Sequence, residues 1–124
     1  MQGERRIVVT GLGCVSPVGN DIPTAWDSIV NGRSGIGPLT EVDAEKFSCK
    51  IAGEIRDLDI SEYISPKDAR KSDPFIHYGI VAAAQAIQDA GLPDFSGDAP
   101  CDPTRFGVAI GSGIGGIKTI EDTH

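Results

Sequence analysis

Two short apolar runs predict strands, one near the start of the chain and one late in it. Residues 6–10 read RIVVT and residues 106–110 read FGVAI, and a glycine follows each run. Runs of β-branched and apolar residues of this length are typical of buried strands. Residues 50–55, KIAGEI, predict a third and weaker strand at a sheet edge, because Gly53 interrupts the pattern.

A first helix is predicted after the early strand. Thr24 is a candidate N-cap, a short apolar face follows it, and Gly32 ends the helix. Residues 34–38 then read SGIGP and predict a turn. The apolar face of this helix consists of Ala25, Trp26, Ile29 and Val30.

The strongest helix signal lies between residues 73 and 91. Asp73 is an N-cap, Pro74 takes the first helical position, the helix runs to Ala90, and Gly91 occupies the position of a C-terminal cap. Small side chains follow one face, so we expect this helix to pack closely against a sheet or another helix. They are Gly79, Ala82, Ala83, Ala86 and Ala90.

A further helix begins at residue 117, after a polar, proline-rich loop over residues 92–104 and the second strand. It reaches Thr123 without a cap, which predicts a chain cut from a longer protein. The order strand, helix, weak strand, helix, strand, helix is that of the α/β class. Two clear strands alone do not form a stable open sheet, since three or more are normally needed.

The composition is that of an ordinary globular domain. The 124 residues include 40% apolar and 23% charged side chains, which excludes a disordered, collagen-like or low-complexity chain. No apolar run approaches the roughly 20 residues of a membrane span, and no secretory signal is expected. Because the formal net charge is −7, whole-chain attraction to nucleic acid or an anionic membrane is not expected, and an acidic partner needs a local basic patch.

The cysteines and histidines give little evidence of a catalytic or metal site. Cys14, Cys49 and Cys101 are widely spaced and form no C-x-x-C pair, so neither a zinc site nor a redox pair is predicted. Reduced thiols in a cytoplasmic protein are the simplest interpretation. A catalytic pair of a cysteine with His77 or His124 has no support in the spacing.

Residues 111–116, GSGIGG, formally fit the G-x-G-x-x-G fingerprint of dinucleotide sites. The acidic residue that binds the ribose would lie about 20 residues further on, beyond His124. A phosphate-binding loop needs lysine directly after the last glycine, but Ile117 is there and Lys118 comes one residue late. A nucleotide-binding α/β domain therefore stays only as an alternative.

Positive charge is concentrated at residues 67–71. Lys67, Arg70 and Lys71 are three of the chain's 11 basic residues, and in a helix Lys67 and Lys71 would share one face. The residues alone leave two interpretations open: a solvated helix end, or a docking patch for an acidic partner.

Taken together, several stretches resemble the β-ketoacyl-acyl-carrier-protein synthases, the condensing enzymes of fatty acid synthesis. The resemblance is strongest to the elongating type II enzymes of bacteria and covers residues 5–124, and its specificity lies in the order and spacing of the stretches. They are RRIVVTGLGCVSPVG (5–19), the helix around Trp26, GRSGI (32–36), SPKDARKSDPFIHYGIVAAAQAIQDAGL (65–92) and FGVAIGSGIGGIKTIEDTH (106–124).

This resemblance implies an α/β, thiolase-like fold. Two βαβαβαββ halves would form a five-layer α/β/α/β/α sandwich, usually in a homodimer. Residues 1–124 would be the opening part of the first half, within an N-terminal domain, with no second domain in this chain. The implied reaction is a decarboxylative Claisen condensation of an acyl thioester with malonyl-acyl-carrier protein, without a cofactor or a metal.

The resemblance also implies roles for particular residues. Lys67, Arg70 and Lys71 match basic residues that dock the acidic acyl carrier protein, which favours the docking interpretation of that cluster. Ile114 matches an isoleucine that gates the acyl pocket, and this replaces the nucleotide interpretation of the same loop.

No catalytic residue is assigned to this chain. The family's nucleophilic cysteine and its two histidines lie in later motifs, so the chain alone is expected to be inactive. A non-catalytic module that only binds the carrier protein is the alternative.

Overall fold

The computed structural model describes residues 6–92 and 102–124, so most of the predicted loop over residues 92–104 lies outside it. None of the helices it describes is long and apolar enough to cross a lipid bilayer. Single turns of 3-10 helix cover Ala44–Lys46 and Pro103–Arg105. In chain order the other elements are α1 (Ile22–Val30), β1 (Ile36–Pro38), β2 (Ile51–Gly53), α2 (Pro66–Ala69), α3 (Pro74–Asp89) and α4 (Ile117–Thr123).

Helix α1 begins earlier than the sequence predicts. Its N-cap is Asp21, whose carboxylate accepts a hydrogen bond from the Thr24 backbone N–H at 2.7 Å. Thr24, the predicted N-cap, therefore lies inside the first turn, because a carboxylate three residues upstream already satisfies its N–H. The predicted end is confirmed: Asn31 caps the helix, and Gly32 follows with a φ of +65°, which favours glycine.

Strands β1 and β2 pair antiparallel, with Ile36 opposite Gly53 and Pro38 opposite Ile51. The predicted weak strand is thus confirmed in part, over a segment of 3 residues. The predicted turn at residues 34–38 is wrong in its second half, because that half forms β1. Pro38 is tolerated there because it ends an edge strand of a two-stranded sheet.

The two strands predicted at residues 6–10 and 106–110 are wrong for the structure described. Neither run has regular secondary structure, and neither joins the sheet of β1 and β2. Ile7 is 88% exposed and Val108 is 89% exposed, so these side chains are not buried either. A strand is stabilised by hydrogen bonds to a neighbouring strand, and the described residues place no such neighbour beside these runs. The described residues consequently contain more helix and less strand than the α/β order predicts.

Helix α3 agrees with the sequence prediction to within a residue. Asp73 is the N-cap, Pro74 is the first helical residue, and Gly91 follows the C-cap Ala90 with a φ of +61°. The Asp73 side chain makes no capping hydrogen bond. Its carboxylate instead accepts a hydrogen bond from the Thr119 hydroxyl of α4 at 2.9 Å. The start of α3 therefore anchors α4 as well.

The small face of α3 packs directly against the connector, which we define as residues 11–20. A Cβ atom on Gly13 would overlap the carbonyl oxygen of Ala82, and a Cβ atom on Gly11 would overlap that of Ala86. The predicted close packing is confirmed, but the neighbour is this irregular segment rather than a sheet or a helix. Glycine is needed at both positions because no side chain fits between the two backbones.

Two polar side chains of α3 complete the attachment of the connector. The Asp89 carboxylate accepts a hydrogen bond from the Leu12 N–H at 2.9 Å, and Gln85 Oε1 accepts one from the Cys14 N–H at 3.0 Å. Gln85 Nε2 also donates to the Asn20 carbonyl oxygen at 2.6 Å, so the connector is held near both of its ends. These bonds satisfy backbone groups that have no strand partner.

The buried core of the described residues is small. Its hydrophobic members are Ala25, Ile64 and Val81, the last of which is 1% exposed. Large apolar side chains stay exposed on α1, where Trp26 is 65% and Val30 is 64% exposed. Apolar faces of this kind are normally covered by further structure or by a partner.

We predict that Gly13→Ala destabilises the chain by about 1–3 kcal/mol, because the new methyl group overlaps the Ala82 carbonyl and forces α3 away from the connector. The matched control is Gly79→Ala inside α3. Its added Cβ meets open space, and it should stabilise the helix by roughly 0.5–1 kcal/mol. Urea titration followed by helical circular dichroism measures both changes, and equal effects of the two substitutions would contradict the close contact.

Candidate functional site

The basic residues predicted for docking lie on and just after α2. This helix forms because Ser65 caps it: the Asp68 N–H donates to Ser65 Oγ at 3.2 Å, and the Ser65 hydroxyl donates to the Asp68 carboxylate at 2.6 Å. Pro66 occupies the first helical position, where a missing N–H costs nothing. The helix has only 4 residues, and Arg70 is its C-cap.

Lys67, Arg70 and Lys71, which we call the basic segment, are all exposed. None of them forms an ion pair with any other residue in the described ranges. The shared helical face predicted for Lys67 and Lys71 is only partly formed, because α2 ends at Ala69, before Lys71 is reached. The three cations therefore remain available to an external anion, at the end of a short capped turn.

A groove of about 390 Å³ lies between the basic segment and α4. We call it the basic groove. Arg70, Lys71 and Lys118 line it, and two carboxylates, of Asp73 and Asp122, also border it. Lys67 does not line this groove, so the structure brings Arg70 and Lys71 to it and leaves Lys67 outside.

A serine and a histidine that line the basic groove contact each other. The Ser72 hydroxyl donates to the Asp68 carbonyl oxygen at 2.8 Å, and its oxygen lies 3.0 Å from His77 Nε2. With the hydroxyl proton directed at the Asp68 carbonyl, the second bond corresponds to the His77 tautomer that carries its proton on Nε2. His77 therefore does not withdraw the Ser72 proton, and the pair joins the end of α2 to the first turn of α3 rather than forming a nucleophile.

Ile114, the predicted gate of an acyl pocket, lies in the loop of residues 111–116 and is 73% exposed. Gly115 has a φ of +67°, and a Cβ there would sit 3.4 Å from the Phe75 ring of α3. Gly111 and Gly113 have open space where a Cβ would project. The Ile114 side chain is therefore free of steric restraint from these glycine neighbours.

No catalytic cysteine is assembled within the residues that the structure describes. Cys14 and Cys49 are free thiols, and the Cys49 thiol donates to the Ile51 carbonyl oxygen at 3.4 Å. Cys101 lies outside the described residues. Over the described ranges, no group of histidine, cysteine and acidic side chains could hold a metal ion.

The sequence gives no signal for an acidic site that the structure reveals at Glu54. The side chain of Glu54 is 8% exposed. Its carboxylate accepts the Thr40 N–H at 2.8 Å, the Thr40 hydroxyl at 2.7 Å and the Glu41 N–H at 3.1 Å, while Arg56 lies 3.5 Å away. These hydrogen bonds, the one from the Thr40 backbone above all, lower the pKa of Glu54 from 4.5 to about 2.

Glu54 borders a second groove, of about 420 Å³, between the strand pair and α4. Tyr78 also lines it, and burial raises the pKa of the Tyr78 hydroxyl, with a smaller contribution from the negative charge of Glu41. Lys118 borders this groove as well as the basic groove. The sequence singles out Lys118 only as a misplaced phosphate-loop lysine, because its surroundings depend on residues more than 40 positions earlier in the chain.

Comparison with known proteins gives consistent matches. Residues 4–124 match the family model for the beta-ketoacyl synthase N-terminal domain. The chain is 50% identical over 121 residues to 3-oxoacyl-[acyl-carrier-protein] synthase 2 of Vibrio harveyi, which covers 98% of this chain and 28% of that protein. It is 43% identical over 124 residues to the protein of the same name in Staphylococcus aureus strain COL, covering 100% of this chain and 29% of that protein.

A solved structure also resembles the chain. The ishigamide ketosynthase/chain length factor matches with a TM-score of 0.61 and 30% identity, over 69% of this chain and 21% of that one. These matches support a thiolase-like fold of the ketosynthase type. The chain spans less than a third of the length of the curated relatives it matches.

We predict a loss of stability as the pH falls from about 5 to about 2. The pKa of Glu54 is lower in the folded chain than its ordinary value, so the stabilisation it provides is complete above pH 4.5 and disappears as the pH approaches 2. Glu54→Gln should lower stability at neutral pH and flatten the pH dependence in this window, whereas Glu62→Gln, at an exposed position, should change neither. A carboxyl NMR titration of Glu54 with a midpoint near 4.5 would contradict the prediction.

Proposed function

Since the chain belongs to the family of the beta-ketoacyl synthase N-terminal domain, we propose that it is the opening part of a 3-oxoacyl-[acyl-carrier-protein] synthase of the elongating type. The observation that carries the proposal is similarity along the whole chain, at 43–50% identity, to proteins of that name. The proposal includes the five-layer sandwich, a homodimeric and cytoplasmic enzyme, and no partnership with nucleic acid or membranes. Residues 1–124 would contribute the first part of the N-terminal domain.

The proposed reaction extends an acyl chain by two carbons. The acyl group moves from the carrier-protein thiol to an enzyme cysteine, which forms a new thioester. Malonyl-carrier protein then loses carbon dioxide, and the electron pair left on its α-carbon attacks the enzyme-bound thioester carbonyl. The cysteine thiolate leaves, and the 3-oxoacyl product stays on the carrier protein. The reaction needs neither a metal nor an organic cofactor.

This chain would supply recognition and shape to that reaction rather than its reacting groups. In the described structure neither Cys14 nor Cys49 is hydrogen bonded to a histidine, and the nitrogen of His77 is occupied by Ser72. Cys14 and Cys49 are accordingly not proposed as nucleophiles. The chain by itself is predicted to have no condensing activity.

The basic segment is proposed to dock the acyl carrier protein. Its three cations are exposed, and they have no ion-pair partner within the described ranges. The whole chain is acidic, with a formal net charge of −7 even when these three cations are counted, so an acidic partner is attracted here and repelled elsewhere. This contrast orients the partner during encounter.

Ile114 is proposed as the gate of the acyl pocket. Its exposed side chain and the open space around Gly111 and Gly113 support a role that requires a change of side-chain position. The nucleotide alternative for the same loop is disfavoured by charge: the Asp73 carboxylate lies against Gly116 and accepts a hydrogen bond from Thr119. A carboxylate at this point repels the phosphate that such a site would hold.

A non-catalytic carrier-protein-binding module is the second candidate, favoured by the basic segment alone. An activity measurement separates the two candidates. The module predicts carrier-protein binding without condensation even in the complete natural protein, whereas the synthase predicts both.

We predict that reversing Lys67, Arg70 and Lys71 to glutamate weakens binding of acyl carrier protein at least about tenfold at low ionic strength, since three attractive contacts become repulsive. The loss should shrink as salt screens the charges. The matched control reverses three exposed cations elsewhere, Arg6, Lys46 and Arg105, with the same change in net charge. Equal losses in the two variants, measured by titration calorimetry, would refute docking at the basic segment.

Replacing Ile114 tests the gate in the complete enzyme. Ile114→Phe should lower kcat/KM for long acyl chains about tenfold or more while leaving short chains and carrier-protein binding nearly unchanged, because the larger ring obstructs the pocket. The control is Ile120→Phe on α4, where the native side chain is 58% exposed. A loss that is the same for short and long acyl chains would argue against a gate.

A further inference from the structure

The basic groove brings Lys118 into the neighbourhood of the basic segment. Lys118 lies on α4, far along the chain from Arg70 and Lys71, yet all three line the same space of about 390 Å³. The Lys118 side chain is exposed and takes part in no ion pair among the residues described. A ligand that contacts Arg70 and Lys71 from this side therefore meets a third cation.

The position of Lys118 follows from a few contacts between residues 115–119 and the start of α3. The hydroxyl of Thr119, the next residue, donates to Asp73 Oδ1 at 2.9 Å. Gly116 lies against the same carboxylate, and a Cβ on Gly115 would be 3.4 Å from the Phe75 ring. Residues on both sides of Lys118 therefore lie against the start of α3, and Lys118 lines the same groove as Arg70 and Lys71.

The charges around the groove favour an anionic occupant. Three cations line it against the two carboxylates of Asp73 and Asp122, so positive charge is in excess by one. The hydrogen bond from Thr119 holds the Asp73 carboxylate in place and leaves its charge unchanged. The groove is open and lined mainly by polar and charged groups, so it suits acidic side chains on the surface of another protein better than an apolar ligand.

We propose that Lys118 is a further docking residue, which extends the basic segment into one surface that receives acidic side chains of the acyl carrier protein. This inference rests on the proposed function. It adds a contact from α4 to those from α2, and it makes the basic groove, rather than α2 alone, the recognition surface. A partner held by residues from two parts of the chain is oriented more strictly than one held by a single turn of helix.

The test is titration of acyl carrier protein against the full chain at low and high salt. Lys118→Glu should weaken binding about three- to tenfold at low salt, with Lys118→Gln intermediate and the effect largely lost at high salt. Arg105→Glu, at an exposed cation outside the groove that forms no ion pair among the residues described, is the matched control and should change binding by less than about twofold. Circular dichroism shows whether each variant keeps the helix content of the unchanged chain. Lys118→Gln removes the positive charge without adding a negative one, so it separates loss of attraction from new repulsion.

The outcomes separate this inference from the proposed function. If reversal of the basic segment abolishes binding and Lys118→Glu binds as tightly as the unchanged chain, Lys118 is not a docking residue but the proposed function stands. If neither variant changes binding, docking at this whole surface is wrong. In a chain whose basic segment is already reversed, Lys118→Glu should add less than it does alone, and full additivity would show two separate surfaces rather than one.

Discussion

The close contact between α3 and the connector determines how the other described elements lie. Two backbones approach until no Cβ fits between them at Gly11 and Gly13, and Gln85 and Asp89 then bind the connector's N–H groups. The C-terminal end of the connector also contacts the segment after β2, because the Asn20 side chain donates a hydrogen bond to the Arg56 carbonyl oxygen at 2.7 Å. One helix and a segment without regular structure therefore organise a region that has few buried side chains.

The opposite end of α3 organises the charged surface. Asp73 starts the helix, but its carboxylate binds α4 instead of capping its own first turn. His77, one turn later, meets Ser72 and so ties down the end of the basic segment. One end of α3 thus packs against the connector, and the other end contacts the residues next to the basic segment and next to Lys118. The same helix therefore supports both the fold and the proposed docking surface.

Local signals in the sequence predict local structure well here. The Asp73–Pro74 start and the Gly91 end of α3 are correct, as are Gly32 after α1 and the α4 helix, because caps and turns depend on neighbouring residues. The strands at residues 6–10 and 106–110 are wrong because strand formation depends on distant partners, which an apolar run cannot specify. The same distinction applies to the candidate site. The basic residues at 67–71 are neighbours in the sequence and can be recognised from it. Lys118 and Glu54 gain their surroundings only through contacts between distant parts of the chain.

Attachment of the connector to α3 has a consequence for synthesis of the protein. The Leu12–Asp89 hydrogen bond joins residues 77 positions apart, so the first part of the chain leaves the ribosome long before its binding surface exists. At about 5–20 residues per second, that delay is roughly 4–15 seconds. Throughout it, the N–H groups of Leu12 and Cys14 lack the α3 side chains that bind them in the folded chain, so the connector can take its final position only after synthesis has passed Asp89.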